Sequence, residues 1–314
     1  MNHQQTFIRC TIVLCVALLM ATLSIFSLSC TQPIASEPLG DYDAFPAASD
    51  FTEGINRFPF GFRSSSGNRL PKAKVYVSFS HSDDTQSEAR PEVQATYHPI
   101  KNSGHHFHLD GSHHIHTDDL GFYMVRSIEF DKAGVWQAKF TVRSADEKRI
   151  DVAPLVFLVR SESNIPKIGE AVPHSNNPTL SNKDDLSDIT THPNPNPNLY
   201  DVTISHALRT SRPLVVVFST PAYCTSRLCG PVTDLAYAIH DRYSDVLDVI
   251  HIEPFEVSTA KTKGRLKPTP TLREWGLETE PWLFIIDKNG LVFDRFEGPI
   301  PPEFLEESIQ SVIG

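Results

Sequence analysis

Cysteine is scarce in this chain. There are five in 314 residues, and only Cys224 and Cys229 lie beyond Cys30. A fold stapled by several disulfides is therefore excluded. Basic runs are also missing. Lys and Arg number 28 against 38 Asp and Glu, for a net charge of −10. An acidic chain without a basic patch is repelled by phosphate backbones, which argues against nucleic acid as a partner. No phosphate loop, Ser-His-Asp spacing, paired-carboxylate motif or internal repeat stands out.

The chain does have one long apolar run, at its start. "TIVLCVALLMATLSIFSLS", Thr11 to Ser29, is apolar or small throughout, and Arg9 stands just before it. The pattern is that of an export signal. It is also near the lower limit for a membrane span. Cys30 follows. "FSLSC" resembles a bacterial lipobox, in which the cysteine becomes lipidated and N-terminal, although Ser27 stands where Leu is expected. The resemblance implies a lipid anchor on Cys30. An uncleaved anchor helix and a plain secreted protein are the alternatives. All three place the remainder outside the cytoplasm.

Proline is abundant, at 24 residues, and much of it marks two irregular stretches. Residues 30–52 are polar and rich in Pro, Ala and Ser, as a tether would be. Residues 161–199 end in "THPNPNPNL", whose Pro-Asn alternation disfavours helix and sheet. Between them, residues 53–160 read as β. "AKVYVSF" puts Val75, Val77 and Phe79 on one face, and "VWQAKFTV" does the same for Trp136, Ala138, Phe140 and Val142. "GFYMVRSIEF" and "APLVFLVR" are two further strands. The spacing predicts a sandwich. "FDKAGVWQAKFTV" resembles the strand–turn–strand of immunoglobulin-like domains on bacterial surface proteins.

Residues 200–314 change pattern. "SRPLVVVFST" predicts a buried strand. "GPVTDLAYAIHDRYSD" predicts a helix with Val232, Leu235, Ala236, Ile239 and Tyr243 inward. "VLDVIHIEPFE" is a strand, "TPTLREWGL" a short helix, and "PWLFIIDKNGLVFDRFEG" a hairpin turning at Asn289-Gly290. "PPEFLEESIQSVI" closes as a helix, with Phe304, Leu305, Ile309 and Val312 as its stripe. The order β-α-β-α-β-β-α, with "PLVVVFSTPAYC" leading into a cysteine, resembles the thioredoxin superfamily. The expected architecture is thus an α/β thioredoxin-like domain preceded by an all-β immunoglobulin-like sandwich domain. Residues 1–29 are the signal.

The thioredoxin resemblance implies thiol–disulfide exchange at Cys224 and Cys229, with Pro281 in the place of the family's cis-proline. No cofactor is required for that chemistry, and the implied partners are thiols or disulfides of exported proteins. The spacing departs from the family: four residues separate the cysteines, and Cys-Gly-Pro belongs to the second. Either cysteine could be the nucleophile. Cys224 ends the strand's loop, whereas Cys229 stands where a helix N-terminus lowers a thiol pKa. Cys224 is favoured. Residues five apart in a continuous helix lie about 7.5 Å apart along its axis, too far for a disulfide, so 224–229 is expected to be a loop or broken turn. A structural disulfide and a metal site are the competing readings of the pair.

A second cluster lies in "HHFHLDGSHHIHTDD". His105, His106 and His108 form one triplet and His113, His114 and His116 another, around the turn "LDGS". A hairpin there would present several imidazoles to one Cu²⁺ or Zn²⁺ ion. Metal together with a thioredoxin-like domain resembles the Sco-type copper chaperones of cytochrome oxidase assembly. Those use Cys-x-x-x-Cys and a distal His; here the cysteine spacing is wider and no His follows His251.

Overall fold

The computed structural model describes residues 41–70, 72–84, 90–100, 121–183, 185–224 and 228–314, and the backbone alone at 105–107 and 113–115. The expected signal, and Cys30 with the lipid expected on it, fall outside the described residues. Among the described residues, no helix is long and apolar enough to cross a membrane.

The N-terminal part is all β. Its strands are β1 (Tyr42–Pro46), β2 (Gly54–Arg63), β3 (Lys74–His81), β4 (Val93–Pro99), β5 (His105–Phe107), β6 (His113–Ile115), β7 (Gly121–Phe130), β8 (Gly134–Arg143), β9 (Arg149–Ile150), β10 (Val152–Ala153) and β11 (Leu155–Val159). Nine of these form one hydrogen-bonded sheet, eight in the order β10-β1-β2-β7-β4-β3-β8-β11 and β9 off that path on β8. The path turns a corner at β4. Val93 to Ala95 pair with β3, and Thr96 to Pro99 pair with β7. The two halves close over an aromatic core that includes Phe58, Phe60, Phe79, Phe130, Trp136 and Phe157. Val75, Val77, Phe79, Trp136, Ala138 and Val142 are buried as their alternation predicts, with Phe140 partly so.

The structure differs from expectation at both flanks. Residues 42–46, expected in the tether, form β1 and pair with β2. Phe51 is buried in the β core. A short Pro-rich segment can still be a strand when a neighbour supplies its ladder. Residues 161–199 are irregular as expected, yet they pack. Ile165, Val172, Ile189 and Leu199 are buried, and the turns at Leu186–Asp188 and Pro197–Tyr200 are 3₁₀.

The C-terminal part contains α1 (Ile204–Ala207), β12 (Leu214–Phe218), α2 (Cys229–Tyr243), β13 (Asp248–Ile252), α3 (Val257–Lys263), α4 (Pro270–Glu274), β14 (Trp282–Ile286), β15 (Val292–Glu297) and α5 (Pro302–Ile313). The sheet order is β13-β12-β14-β15. β12 and β13 are parallel, and β14 and β15 antiparallel. The element order contains the expected β-α-β-α-β-β-α, with α1 and α3 in addition. β12 and β14 are buried along their whole length, because helices and loops cover both faces of the sheet. α2 buries Val232, Ala236, Ile239 and Tyr243, and α5 buries Phe304, Leu305 and Ile309.

The β part and the α/β part belong to one compact unit, Gly40–Gly314. The period of two along β7 makes the join. Tyr123 and Val125 face the β core, while Phe122 and Met124 enter the core beneath α2 and α5. Both faces of the first half of the strand are therefore covered, which explains the apolar run Phe122–Val125.

Polar contacts complete the seam. Arg57 grips Asp294 through two hydrogen bonds of 2.9 and 2.8 Å and lies 4.4 Å over the Phe296 ring. Ser308 donates to the same carboxylate at 2.6 Å. Buried Asp50 accepts from Arg295 at 2.9 Å and from Ser163 at 2.9 Å. Glu297 accepts from the backbone N–H of Ser49 and Asp50, and from the hydroxyls of Ser49 and Thr279.

Gly298 sits where the two parts touch. Its φ is +73°, and an added Cβ would lie 2.0 Å from the Ala47 carbonyl oxygen. Gly264 has φ +59° with nothing within 4 Å. Gly298→Ala is expected to cost about 2–4 kcal/mol, from strain plus the clash, and Gly264→Ala only about 1 kcal/mol. Urea midpoints of the two variants test this. Equal losses would mean that the seam yields at Ala47.

Candidate functional site

β12 ends at Phe218, and the chain turns through Thr220 to Cys224. It re-enters the core at Cys229, the first residue of α2. Cys224 has no regular structure, and residues 225–227 lie outside the described residues. Leu228 caps the helix without a side-chain hydrogen bond. An α-helix supplies no acceptor for its own first-turn N–H groups. The Cys229 N–H donates to Cys224 Sγ over 3.3 Å.

The two cysteines are not joined in a disulfide, and their surroundings are unequal. Cys229 is 0 % exposed and Cys224 5 %. Burial pushes the Cys229 thiol well up, and the hydrogen bond and charge of Cys224 push it further. Cys224 faces the helix N-terminus, where a sulfur anion meets N–H groups and the positive end of the helix dipole. Cys229 stays a protonated thiol until its proton has somewhere to go.

The Glu280-Pro281 peptide is cis, and the Pro281 carbonyl accepts from the Gly298 N–H at 2.9 Å. Glu280 is electrostatically coupled to both thiols. Its carboxyl is pushed up to about 7, first by burial and then by Cys224. A titratable carboxyl thus stands beside the pair at neutral pH. Cys224, Cys229 and the peptide preceding Pro281 are brought together.

Behind the pair runs a buried chain of hydrogen bonds. His251 is fully desolvated, and that pushes its pKa down to about 3. It is therefore neutral, and each nitrogen has one role. Nδ1 accepts from the Tyr200 hydroxyl at 2.7 Å, and Nε2–H faces the Ser219 carbonyl and hydroxyl at 3.0 and 2.9 Å. The Ser219 hydroxyl then donates to Thr233 Oγ1 at 2.6 Å, and Thr233 donates to the Cys229 carbonyl at 2.8 Å. This chain braces the first turn of α2 against β12 and β13. Glu253, two residues beyond His251, is also buried, and burial pushes its carboxyl up to about 7. It accepts from the Thr191 N–H at 2.7 Å and from the Thr191 hydroxyl. The Thr191 oxygen accepts in turn from the Ala222 N–H in the cysteine loop.

Sequence reasoning did not single out Glu280, His251, Ser219, Thr233, Tyr200 or Glu253 as site residues. A signal was present for three of them: a Glu directly before Pro281, and a His and a Glu inside the apolar run "VIHIEP".

A cavity of about 420 Å³ opens beside the site. Leu228, Thr279 and Glu280 line it from the thiol side, and Phe45, Arg63 and Arg69 from the β part.

The histidine run contains a two-stranded hairpin. β5 and β6 pair antiparallel, with His106 opposite His114, His105 opposite Ile115, and Phe107 opposite His113. His108 and His116 lie outside the described residues. Among the described residues, no group of His, Cys, Asp and Glu is placed to hold a metal ion.

No family model matches the chain. No curated protein matches it. Among solved structures, it is similar to a Chlorobium tepidum chain assigned as thiol:disulfide interchange protein DsbE. The identity is 17%, over 48% of this chain and 99% of that chain, with a TM-score of 0.34.

The raised carboxyl predicts a pH effect. Folding holds Glu280 protonated up to about 7, against an ordinary value of 4.5. The folded state therefore binds more protons between those values. The stability that this contributes is full below pH 4.5 and is lost as pH rises to 7. Glu280→Gln removes the loss, so the variant should gain stability over wild type as pH goes from 4.5 to 8. Glu253 and His251 titrate in both proteins and cancel. Denaturant midpoints at the two pH values check this; a constant difference would mean that Glu280 ionises normally.

Proposed function

We propose that the chain is an extracytoplasmic thiol–disulfide exchange protein whose reactive thiol is Cys224. The observation that carries this reading is the 3.3 Å hydrogen bond from the Cys229 N–H to Cys224 Sγ at the head of α2, beside the Glu280-Pro281 peptide. A buried structural disulfide would need no charge-stabilising donor on one sulfur and no titratable carboxyl next to both.

The chemistry follows from the inequality of the thiols. Cys224 thiolate attacks one sulfur of a client disulfide. A Cys224–client bond forms, the client S–S bond breaks, and the released client thiolate takes up a proton. Cys229 then gives up its proton, for which Glu280 is the nearby acceptor, and attacks Cys224 Sγ. The client leaves as a dithiol, and the Cys224–Cys229 disulfide remains. The reverse sequence oxidises a client. Loop residues between the cysteines must let Cys229 Sγ reach Cys224, and the four-residue spacing allows that because Cys224 is not part of α2.

Two accessory features belong to the same reading. Cys30 would carry the lipid that holds the protein at a membrane, and the all-β part would be an immunoglobulin-like spacer. The second reading is metal binding by the histidine hairpin, favoured by the pairing of His106 opposite His114. Cu²⁺ or Zn²⁺ is the expected ion. Calorimetric titration of wild type against a form with all six of His105, His106, His108, His113, His114 and His116 changed to Ser decides it. Equal heats would remove the site. Cys30→Ser should shift the protein from the membrane to the soluble fraction, and unchanged partition would exclude the lipid.

The exchange reading makes two measurable demands. The Cys224–Cys229 couple should have a reduction potential above about −300 mV, since a structural bond lies below that. Cys229→Ser should trap client mixed disulfides on Cys224, because no second thiol remains to resolve them. In a pH series of alkylation rates, Cys224 should react and Cys229 should resist. A lower potential together with no trapped species would make the pair a staple.

A further inference from the structure

One short piece of the irregular segment ahead of the α/β part, Ile189 to His192, lies against the cysteine loop. That piece is seated by contacts of its own. Just before it, the Ser187 carbonyl accepts from Lys261 Nζ of α3 at 2.6 Å. Ile189 is buried in the core beneath α2, and Thr190 is buried beside it. The His192 ring meets the Tyr237 ring of α2 edge-on, with centroids 4.7 Å apart. Thr191 is therefore held from both sides. Glu253 fixes its side chain. The Thr191 N–H and hydroxyl both donate to Oε1 of that buried carboxyl. A hydroxyl has one hydrogen and two lone pairs. With the hydrogen spent on Glu253, the Thr191 oxygen can only accept, and it accepts from the Ala222 N–H at 3.1 Å. Ala222 stands two residues before Cys224. The carboxyl also acts through space on Tyr223, the buried residue between them.

We infer that Thr191 and Glu253 form a clamp on the cysteine loop, and that Thr191 is a positioning residue for Cys224. The inference rests on the exchange reading and deepens it. Glu253 orients the Thr191 hydroxyl, and the hydroxyl oxygen holds the Ala222 N–H. The held loop keeps Cys224 Sγ 3.3 Å from the Cys229 N–H. A loop that carries a reacting sulfur loses rate when it drifts, since a misplacement of about 1 Å can cost about 100-fold. The irregular segment thus contributes a residue to the thiol site, from 33 positions upstream of Cys224 in the chain. His251 and its partners brace Cys229 from the helix side, and the clamp braces Cys224 from the loop side. The two braces start from one strand end, at His251 and Glu253.

The test follows the reduced full chain as it converts hydroxyethyl disulfide to two molecules of 2-mercaptoethanol and is left with the Cys224–Cys229 disulfide. Thr191→Val keeps the side-chain shape and removes the hydroxyl, and it should slow this reaction about tenfold. Thr191→Ser keeps the hydroxyl and should restore the wild-type rate. Ile189→Val loosens the same piece of chain without touching Glu253 or Ala222. It should lower the urea midpoint and leave the rate alone. Thr191→Ala replaces the valine variant if that one does not fold. A hydroxyl-free variant as fast as wild type overturns the clamp. So does a serine variant as slow as the valine one, or an Ile189→Val variant slowed as much. If wild type does not react with hydroxyethyl disulfide, the exchange reading falls instead. The clamp is then decided by hydrogen exchange at the Ala222 amide. Exchange about tenfold faster in Thr191→Val and unchanged in Thr191→Ser upholds it, and equal rates in all three proteins overturn it.

Discussion

The outer strand of the C-terminal sheet, β15, carries Asp294, Arg295 and Glu297 within four residues, and the rest of the structure depends on how those charges are answered. An edge strand left open is a site for unwanted pairing, and a buried charge without a partner costs several kcal/mol. Here the β part supplies the answer to each. Arg57 takes Asp294 bidentately, Asp50 takes Arg295, and the Ser49–Asp50 backbone takes Glu297. These are directional contacts, unlike apolar burial, so they set one relative position of the two parts. Phe122 and Met124 then fill the space below. The same contacts bring Phe45, Arg63 and Arg69 to face Leu228 and Glu280.

At the thiols, two sulfurs five residues apart meet different surroundings. Cys229 lies inside the helix head, and burial holds its proton on. Cys224 lies just outside, where the helix N–H can meet an anion. The asymmetry comes from the position of the helix start rather than from the cysteines themselves. The neutral His251 chain fixes that start by tying the Cys229 carbonyl through Thr233 and Ser219 to β13. Its desolvated imidazole carries no charge near the sulfurs, whereas the Glu280 carboxyl acts on both.

Much of the fold was legible in the chain because burial imprints a period. Val75, Val77 and Phe79 alternate, β12 and β14 are unbroken apolar runs, and α2 and α5 show helical stripes. What was missed has a common cause. β1 and β2 lie in "DYDAFPAASDFTEGINRFPFGFR", where Pro, Gly and charges interrupt the alternation. Those interruptions are the seam itself: Gly61 admits the Phe45 ring, and Arg57 reaches Asp294. A residue that serves an interface breaks the pattern that a single core would impose.

The candidate site divides the same way. The sequence by itself determined the cysteine pair and its place between a buried strand and a helix, because chain order and apolar patterning suffice for these. Only the tertiary structure decided which thiol is held protonated, that the Glu280 carboxyl stands beside the pair, and that two arginines from the β part line the adjoining cavity. Desolvation and charge–charge coupling act through space over a few ångströms, and residues 63 and 280 become neighbours only after the seam has formed.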